Sequence, residues 1–173
     1  MSVKITRRHA TLMMGTAAIA APLMSTTAVA MDEPKTIEVL MLNQHPDDPK
    51  LRQVFVPRVI SANPGDTIKF VAADKSHNAA TSRGMIPEGA AGFKGKINQD
   101  VEYVAEGPGI YGVECTPHKT TGMVALVVVE GEGKLANLEE AKGVRHPGKA
   151  RQAWEEIWAE AEEMGLLSES TES

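Results

Sequence analysis

The sequence predicts an all-β domain, an antiparallel sandwich or barrel, with helices following it at the C-terminal end. Three observations carry this. Short strand-like runs recur between Pro, Gly, Asn and Asp turn signals. No helical pattern of the kind that joins parallel strands lies between them. After the acidic, glycine-broken stretch 130–133 the periodicity changes to helical. Only seven of 173 residues are aromatic, so the core must be mainly aliphatic side chains and Met.

The runs justify themselves in order. Residues 36–43 read Thr-Ile-Glu-Val-Leu-Met-Leu-Asn, with Ile37, Val39 and Met41 on one face, until His45-Pro46-Asp47-Asp48-Pro49 breaks the strand. Residues 54–60 can be extended. Asn63-Pro64-Gly65-Asp66 is a turn, because Pro presets φ and Gly tolerates positive φ. In 67–72, Ile68, Phe70 and Ala72 alternate with polar partners. Residues 74–98 have no clean period and hold five glycines and prolines in sum at 84, 87, 89, 92 and 95. They read as a long excursion with one helical turn at most, outside the sheet. Strands resume at 100–105, 109–114 and 123–129.

Beyond 133, Asn137 and Glu140 have the capping-box spacing of a helix start. A longer helix begins near Pro147, a residue suited to a first helical turn. Ala150, Trp154, Ile157, Trp158 and Ala161 form one apolar stripe, and Glu155, Glu156, Glu160, Glu162 and Glu163 occupy much of the rest. Such a stripe packs onto the sandwich, or less simply serves as a docking face. Residues 168–173 read as a frayed tail.

The first 30 residues read as an export signal. Lys4, Arg7 and Arg8 make a positive start, residues 12–23 are apolar but too short to cross a bilayer, and Ala28-Val29-Ala30 supplies a small-residue cleavage signal. The pair Arg7-Arg8 after Thr6 suggests twin-arginine export, although Ala10 stands where that motif usually has Phe. The general secretory route is the alternative. Cleavage near Ala30 and a periplasmic destination follow, with no insertion into the membrane. Without those residues the chain has 15 basic and 23 acidic side chains, a net of −8. That surface repels nucleic acid, and no basic stripe compensates.

One cysteine is present. In an exported chain a lone Cys is an intermolecular link, a free thiol or a metal ligand. Cys115-Thr116-Pro117-His118 followed by Gly122-Met123 spaces a Cys, a His and a Met within one tight loop between two strands. His77 ends the region of the 67–72 strand. Two His and one Cys with a weak axial Met is the ligand set of a blue-copper electron-transfer site. Thiolate and thioether sulfur favour Cu(I), while imidazole accepts both Cu(I) and Cu(II), so little rearranges when an electron moves. No position stays open for substrate, which argues against an enzyme.

Taken singly, these residues are unremarkable choices: Met123 reads as core, His77 as a surface or capping residue, Cys115 as a buried thiol. Together, at this spacing, they read as one copper ion's ligands. His45 and His146 read as structural.

These residues resemble the pseudoazurins, small blue-copper cupredoxins of bacterial periplasms. The similar stretches are Ile37-Glu38-Val39, Met41-Leu42-Asn43, Ala62-Asn63-Pro64-Gly65-Asp66-Thr67, Asp74-Lys75-Ser76-His77-Asn78 and Gly84-Met85-Ile86-Pro87. Phe93-Lys94, Lys96-Ile97-Asn98, Cys115-Thr116-Pro117-His118 and Ala136-Asn137-Leu138 continue the likeness. The resemblance implies a Greek-key cupredoxin sandwich of about eight strands with two C-terminal α-helices packed on it. The chain is thus expected to divide into a signal at 1–30, a cupredoxin domain at 31–133, helices at 134–167 and a tail at 168–173. The resemblance implies His77, Cys115, His118 and Met123 as ligands of one type 1 copper, with Asn78 tying the His77 loop to Thr116. Pro117 lacks an N–H that could bond the Cys115 sulfur.

The resemblance further implies a one-electron carrier whose electrons pass through the exposed edge of His118, and the chain is expected to be a monomer. Its partners would be periplasmic redox enzymes such as copper nitrite reductase, or cytochromes. In the family, lysines around that edge steer acidic partners, and Lys75, Lys94 and Lys96, with Arg83, are the candidates here. Three positions depart: Glu114 stands where Lys is common, Lys119 replaces a Tyr, and Thr120-Thr121 replaces a more apolar pair. A copper-binding or copper-delivery protein without electron transfer is the alternative, and the presence of Cys115 argues for the carrier.

Overall fold

In the computed structural model the described residues are 33–168. The expected export signal at 1–30, and residues 169–173 of the expected tail, lie outside them. Eight strands form two four-stranded sheets: β1 (Thr36–Gln44), β2 (Arg52–Val56), β3 (Val59–Ala62), β4 (Thr67–Val71), β5 (Ala80–Thr81), β6 (Val101–Val104), β7 (Gly109–Glu114) and β8 (Val124–Val129). One sheet runs β2-β1-β4-β6 and the other β3-β8-β7-β5. Two helices follow, α1 (Leu138–Gly143) and α2 (Ala150–Glu163). Among the described residues no helix is long and apolar enough to cross a membrane.

The expected sandwich is therefore present, with a mixed and not purely antiparallel ladder. β1 pairs with β4 in parallel, and β3 with β8 in parallel, while the other pairs are antiparallel. Alternation in a sequence reveals which face is buried and is silent on which strand lies alongside. The expected extended run at 54–60 divides at Pro57 and Arg58, so that β2 and β3 enter different sheets. A Pro cannot donate to a ladder, and the chain changes sheet there. The excursion at 74–98 contains no helix, and it does contribute two residues, Ala80 and Thr81, to the second sheet by pairing with Glu114 and Val113.

β8 explains how the layers stack. All six of its residues are buried. Ala125, Val127 and Val129 join Val39, Met41, Phe55, Ile68 and Phe70 between the sheets. Val124, Leu126 and Val128 face the other way, onto Ala150, Trp154, Ile157 and Ala161 of α2. A strand covered on both sides reads as a continuous apolar run, which is the character of Val124-Ala125-Leu126-Val127-Val128-Val129. The apolar stripe of α2 thus packs on the sandwich. Full burial of Ile157 alone contributes about 1.5–3 kcal/mol. Arg58 adds a polar clamp, its Nε donating to Glu160 at 2.7 Å and its Nη1 to Glu156 at 3.1 Å.

The capping box at Asn137 does not form. Asn137 makes no cap bond from its side chain. Instead its Oδ1 accepts from Ile110 N at 3.0 Å and its Nδ2 donates to Ile110 O at 2.8 Å. The amide extends the β7 ladder where no strand lies alongside, a stronger demand on a buried polar group than a helix end open to water.

Candidate metal centre

Three loops at one end of the sandwich build the site. The β4–β5 loop carries His77, and Asn98 holds its backbone at two points. Asn98 N donates to His77 O at 2.8 Å, and Ser76, at φ 77°, gives its N–H to the Asn98 side chain. The β7–β8 loop carries Cys115, His118 and Met123. It is folded tightly on itself: His118 N donates to Cys115 O at 3.0 Å, Cys115 N to Met123 O at 3.0 Å, and Met123 N to His118 O at 3.2 Å. A short 3-10 turn at Lys119–Thr121 occupies the middle of that loop. The end of β1 carries Asn43.

These loops bring donor atoms to one point. The Nδ1 atoms of His77 and His118 are 3.1 Å apart. Cys115 Sγ lies 3.9 Å from His77 Nδ1 and 3.5 Å from His118 Nδ1. Among the described residues this is the one group of His, Cys, Asp or Glu donors with metal-site spacing. Met123, fully buried, is tied by its backbone to both Cys115 and His118. His77 and Cys115 are also fully buried, whereas His118 is half-buried.

Electrostatics favours neutral donors in the absence of a cation. Burial pushes the Cys115 thiol up; the backbone N–H groups of Asn78 and His118 oppose this, and Glu114 adds to it. Burial pushes His77 down, helped by neighbouring His118 and opposed by Asp74. The His77 imidazole therefore offers a lone pair, and a metal ion is what draws the proton from the thiol. Two imidazole nitrogens, one thiolate and an adjacent thioether suit copper.

The surroundings hold these donors in place. His77 Nε2 lies 3.1 Å from Asn43 Oδ1. Asn43 is itself pinned, its N–H donating to Asp74 Oδ2 at 2.7 Å. Asn78, 2% exposed, accepts from Thr116 N at 2.8 Å and donates from Nδ2 to Gly95 O at 3.0 Å and Thr116 Oγ1 at 3.1 Å. Thr116 and Pro117 are exposed. The roles of Asn43 and Asp74 are not visible in the sequence. The one available signal was a polar residue closing the apolar run of β1, and nothing local joins it to a histidine 34 positions on.

The other histidines lie outside the donor group. His45 Nδ1 accepts from Asp47 N at 3.1 Å and Asp48 N at 3.2 Å, closing its own turn. The His146 ring lies tilted against Trp154, with ring centroids 5.2 Å apart. Around the site, Lys75, Lys94 and Lys96 are exposed. Lys94 and Lys96 border a shallow apolar depression with Ile97, Thr116 and Pro117. Glu114 and Lys119, the two charged departures, pair with each other at 3.2 Å.

A two-sheet sandwich with a His, Cys and His donor group at one end defines a cupredoxin, and residues 47–130 match the family model described as copper binding proteins, plastocyanin/azurin family. Within that class the chain belongs to the pseudoazurins. It is 44% identical over 117 residues to a pseudoazurin of Paracoccus pantotrophus, covering 68% of this chain and 77% of that one. It is 42% identical over 130 residues to a pseudoazurin of Methylorubrum extorquens, covering 75% and 82%. The solved pseudoazurin of Methylobacterium extorquens AM1 superposes with a TM-score of 0.66 at 39% identity, over 72% of this chain and 98% of that one. A pseudoazurin from a Sinorhizobium species gives a TM-score of 0.69 at 44% identity, over 74% and 97%. Copper is the metal of this family, and the donor chemistry of the loop end agrees.

Proposed function

We propose that the chain, freed of residues 1–30, is a periplasmic one-electron carrier whose single copper would be held by His77, Cys115, His118 and Met123. The observation that carries this reading is the convergence of two Nδ1 atoms and one Sγ, all within 4.8 Å of one another. When bound, copper supplies one-electron cycling between Cu(I) and Cu(II). The chain's residues do the rest. Burial of His77, Cys115 and Met123 excludes water from the donors, which removes the reorganisation that free ligands would undergo. The Asn78 clamp holds the Thr116 end of the ligand loop against the His77 loop, and outer-shell bonds of this kind orient ligands and tune the metal. His118 alone of the four is half-exposed, so an electron exchanged with a partner has its shortest protein path there.

Residues 31–133 form the copper domain on this reading, and 134–167 the helical support. Lys75, Lys94 and Lys96 steer acidic partners, with copper nitrite reductase or a cytochrome as the partner class. Association then slows as salt rises, because surface charges are screened within about 10 Å at 0.1 M. The discriminating experiment is repeated reduction and reoxidation of the copper-loaded chain, with an apo copper chelator present. A carrier cycles and retains its metal. Loss of copper to the chelator on reduction supports the copper-delivery alternative and contradicts the carrier.

A further inference from the structure

We propose that the groove between β2 and α2 is a docking site for a carboxylate-rich segment of a protein partner; this rests on the carrier reading and adds a second contact surface to it. The groove has a volume of about 720 Å³ and is open to solvent. Its charge is opposite to that of the chain, which is −5 overall. Of its charged residues, Arg58 and Glu156 neutralise each other at 3.1 Å. Lys50, Arg52 and Lys149 remain, all exposed, and none of the three forms an ion pair among the described residues. The nearby Asp48 carboxylate accepts from Lys50 N at 3.0 Å and so serves the turn. Three like charges gathered along one concavity repel one another until an anion enters.

The polar side of the groove supports the same conclusion. Asn43, Gln53 and Thr121 line it. Gln53 has φ 53°, a left-handed conformation that a non-glycine strand residue adopts at a cost, and such residues concentrate at binding sites. Its amide meets the Thr121 hydroxyl at 2.6 Å, and that hydroxyl is 2.7 Å from His118 O. Asn43 reaches His77. An occupant of the groove therefore sits one residue away from each histidine.

A single oxyanion would fill a small part of this volume. Lys50 and Arg52 come from the entry to and start of β2, and Lys149 from the start of α2, so they lie along opposite walls. Carboxylates on an extended segment, alternating from side to side, would meet both walls. This surface shares no lining residue with the depression at Lys94, Lys96 and Pro117.

The test titrates a hexaglutamate peptide into the full chain at about 0.15 M salt, where charges more than about 8 Å apart are largely screened, following backbone amide shifts by NMR, with and without Cu(I). The expected result is saturable shifts centred on Asn43, Gln53 and Thr121, and binding weakened about tenfold or more by Lys50→Glu, Arg52→Glu and Lys149→Glu together. The triple variant Lys75→Glu, Lys94→Glu, Lys96→Glu should leave peptide affinity in the groove within about twofold. Shifts centred on Lys94, Lys96 and Pro117, equal affinity in the groove variant, or no binding at all would overturn the proposal. Because the metal-free arm reads the groove by itself, a chain that failed to bind copper would sink the carrier reading and leave this result legible.

Discussion

Asn43 Oδ1 lies 3.1 Å from His77 Nε2, and this bond decides which nitrogen of the ring is free. A carbonyl oxygen only accepts, so Nε2 carries the proton, and the Nδ1 lone pair points at His118 Nδ1 and Cys115 Sγ. Asn43→Leu removes that constraint while filling similar space. Copper affinity should fall by about 10–100-fold, as measured by competition with a chelator of known affinity. Unchanged affinity would show that His77 is oriented by packing alone.

Pro117 bears on the reduction potential. The backbone N–H groups of Asn78 and His118 both act on the Cys115 sulfur, and Pro117 between Thr116 and His118 has none to offer. Pro117→Ala supplies a third N–H to the loop. Further donation to a thiolate withdraws charge from it and favours Cu(I), so the potential should rise. Voltammetry of the two proteins gives the answer, and an equal or lower value contradicts it.

The ligand loop leans on α2. Lys149 N donates to Thr120 O at 2.9 Å, and an ideal Cβ at Gly148, where φ is 61°, would lie 2.5 Å from that same oxygen. Gly148→Val combines a strained backbone with a clash at Thr120, two residues from His118. It should cost about 1–3 kcal/mol of stability and alter the visible spectrum of the copper-loaded chain. Gly143→Ala, where a Cβ meets nothing within 4 Å, is the control and should change neither.

Asp66 gives the fold a pH dependence. Burial alone would raise its pKa. Two backbone donors, Lys35 N at 2.9 Å and Asn63 N at 2.8 Å, together with the Lys35 ammonium, outweigh that and hold it below the ordinary carboxylate value. A depressed folded pKa stabilises the fold above the unfolded value of about 3.9, and this stability drains away as pH falls toward the folded value. Denaturation curves of the metal-free chain should therefore steepen in pH slope below about pH 4, and Asp66→Asn should flatten that slope. An identical slope in the variant would assign the effect to other carboxylates.

The fold was legible where burial is one-sided and local. Ile68 and Phe70 alternate with Lys69 and Val71 in β4, and the five-residue stripe of α2 repeats at helical spacing. It was illegible where a long-range partner decides. Ala80 and Thr81 are a strand only because Glu114 and Val113 lie beside them, with Lys94 bridging Ala80 from the other side. Asn137 has the spacing of a cap and is drawn instead to Ile110, 27 residues away. The same holds at the site. Cys115, His118 and Met123 announce themselves by sharing one loop, whereas the Asn43 contact with His77 exists only once β1 and the β4–β5 loop are side by side.

The central claim is that Cys115 and the two histidines hold one copper as a blue centre. The direct measurement is the visible absorption of the purified chain titrated with Cu(II), alongside Cys115→Ser. An intense thiolate-to-copper band should grow to saturation at one equivalent in the parent and be missing in the variant. A colourless parent, or a band that survives the loss of the thiol, would contradict the account.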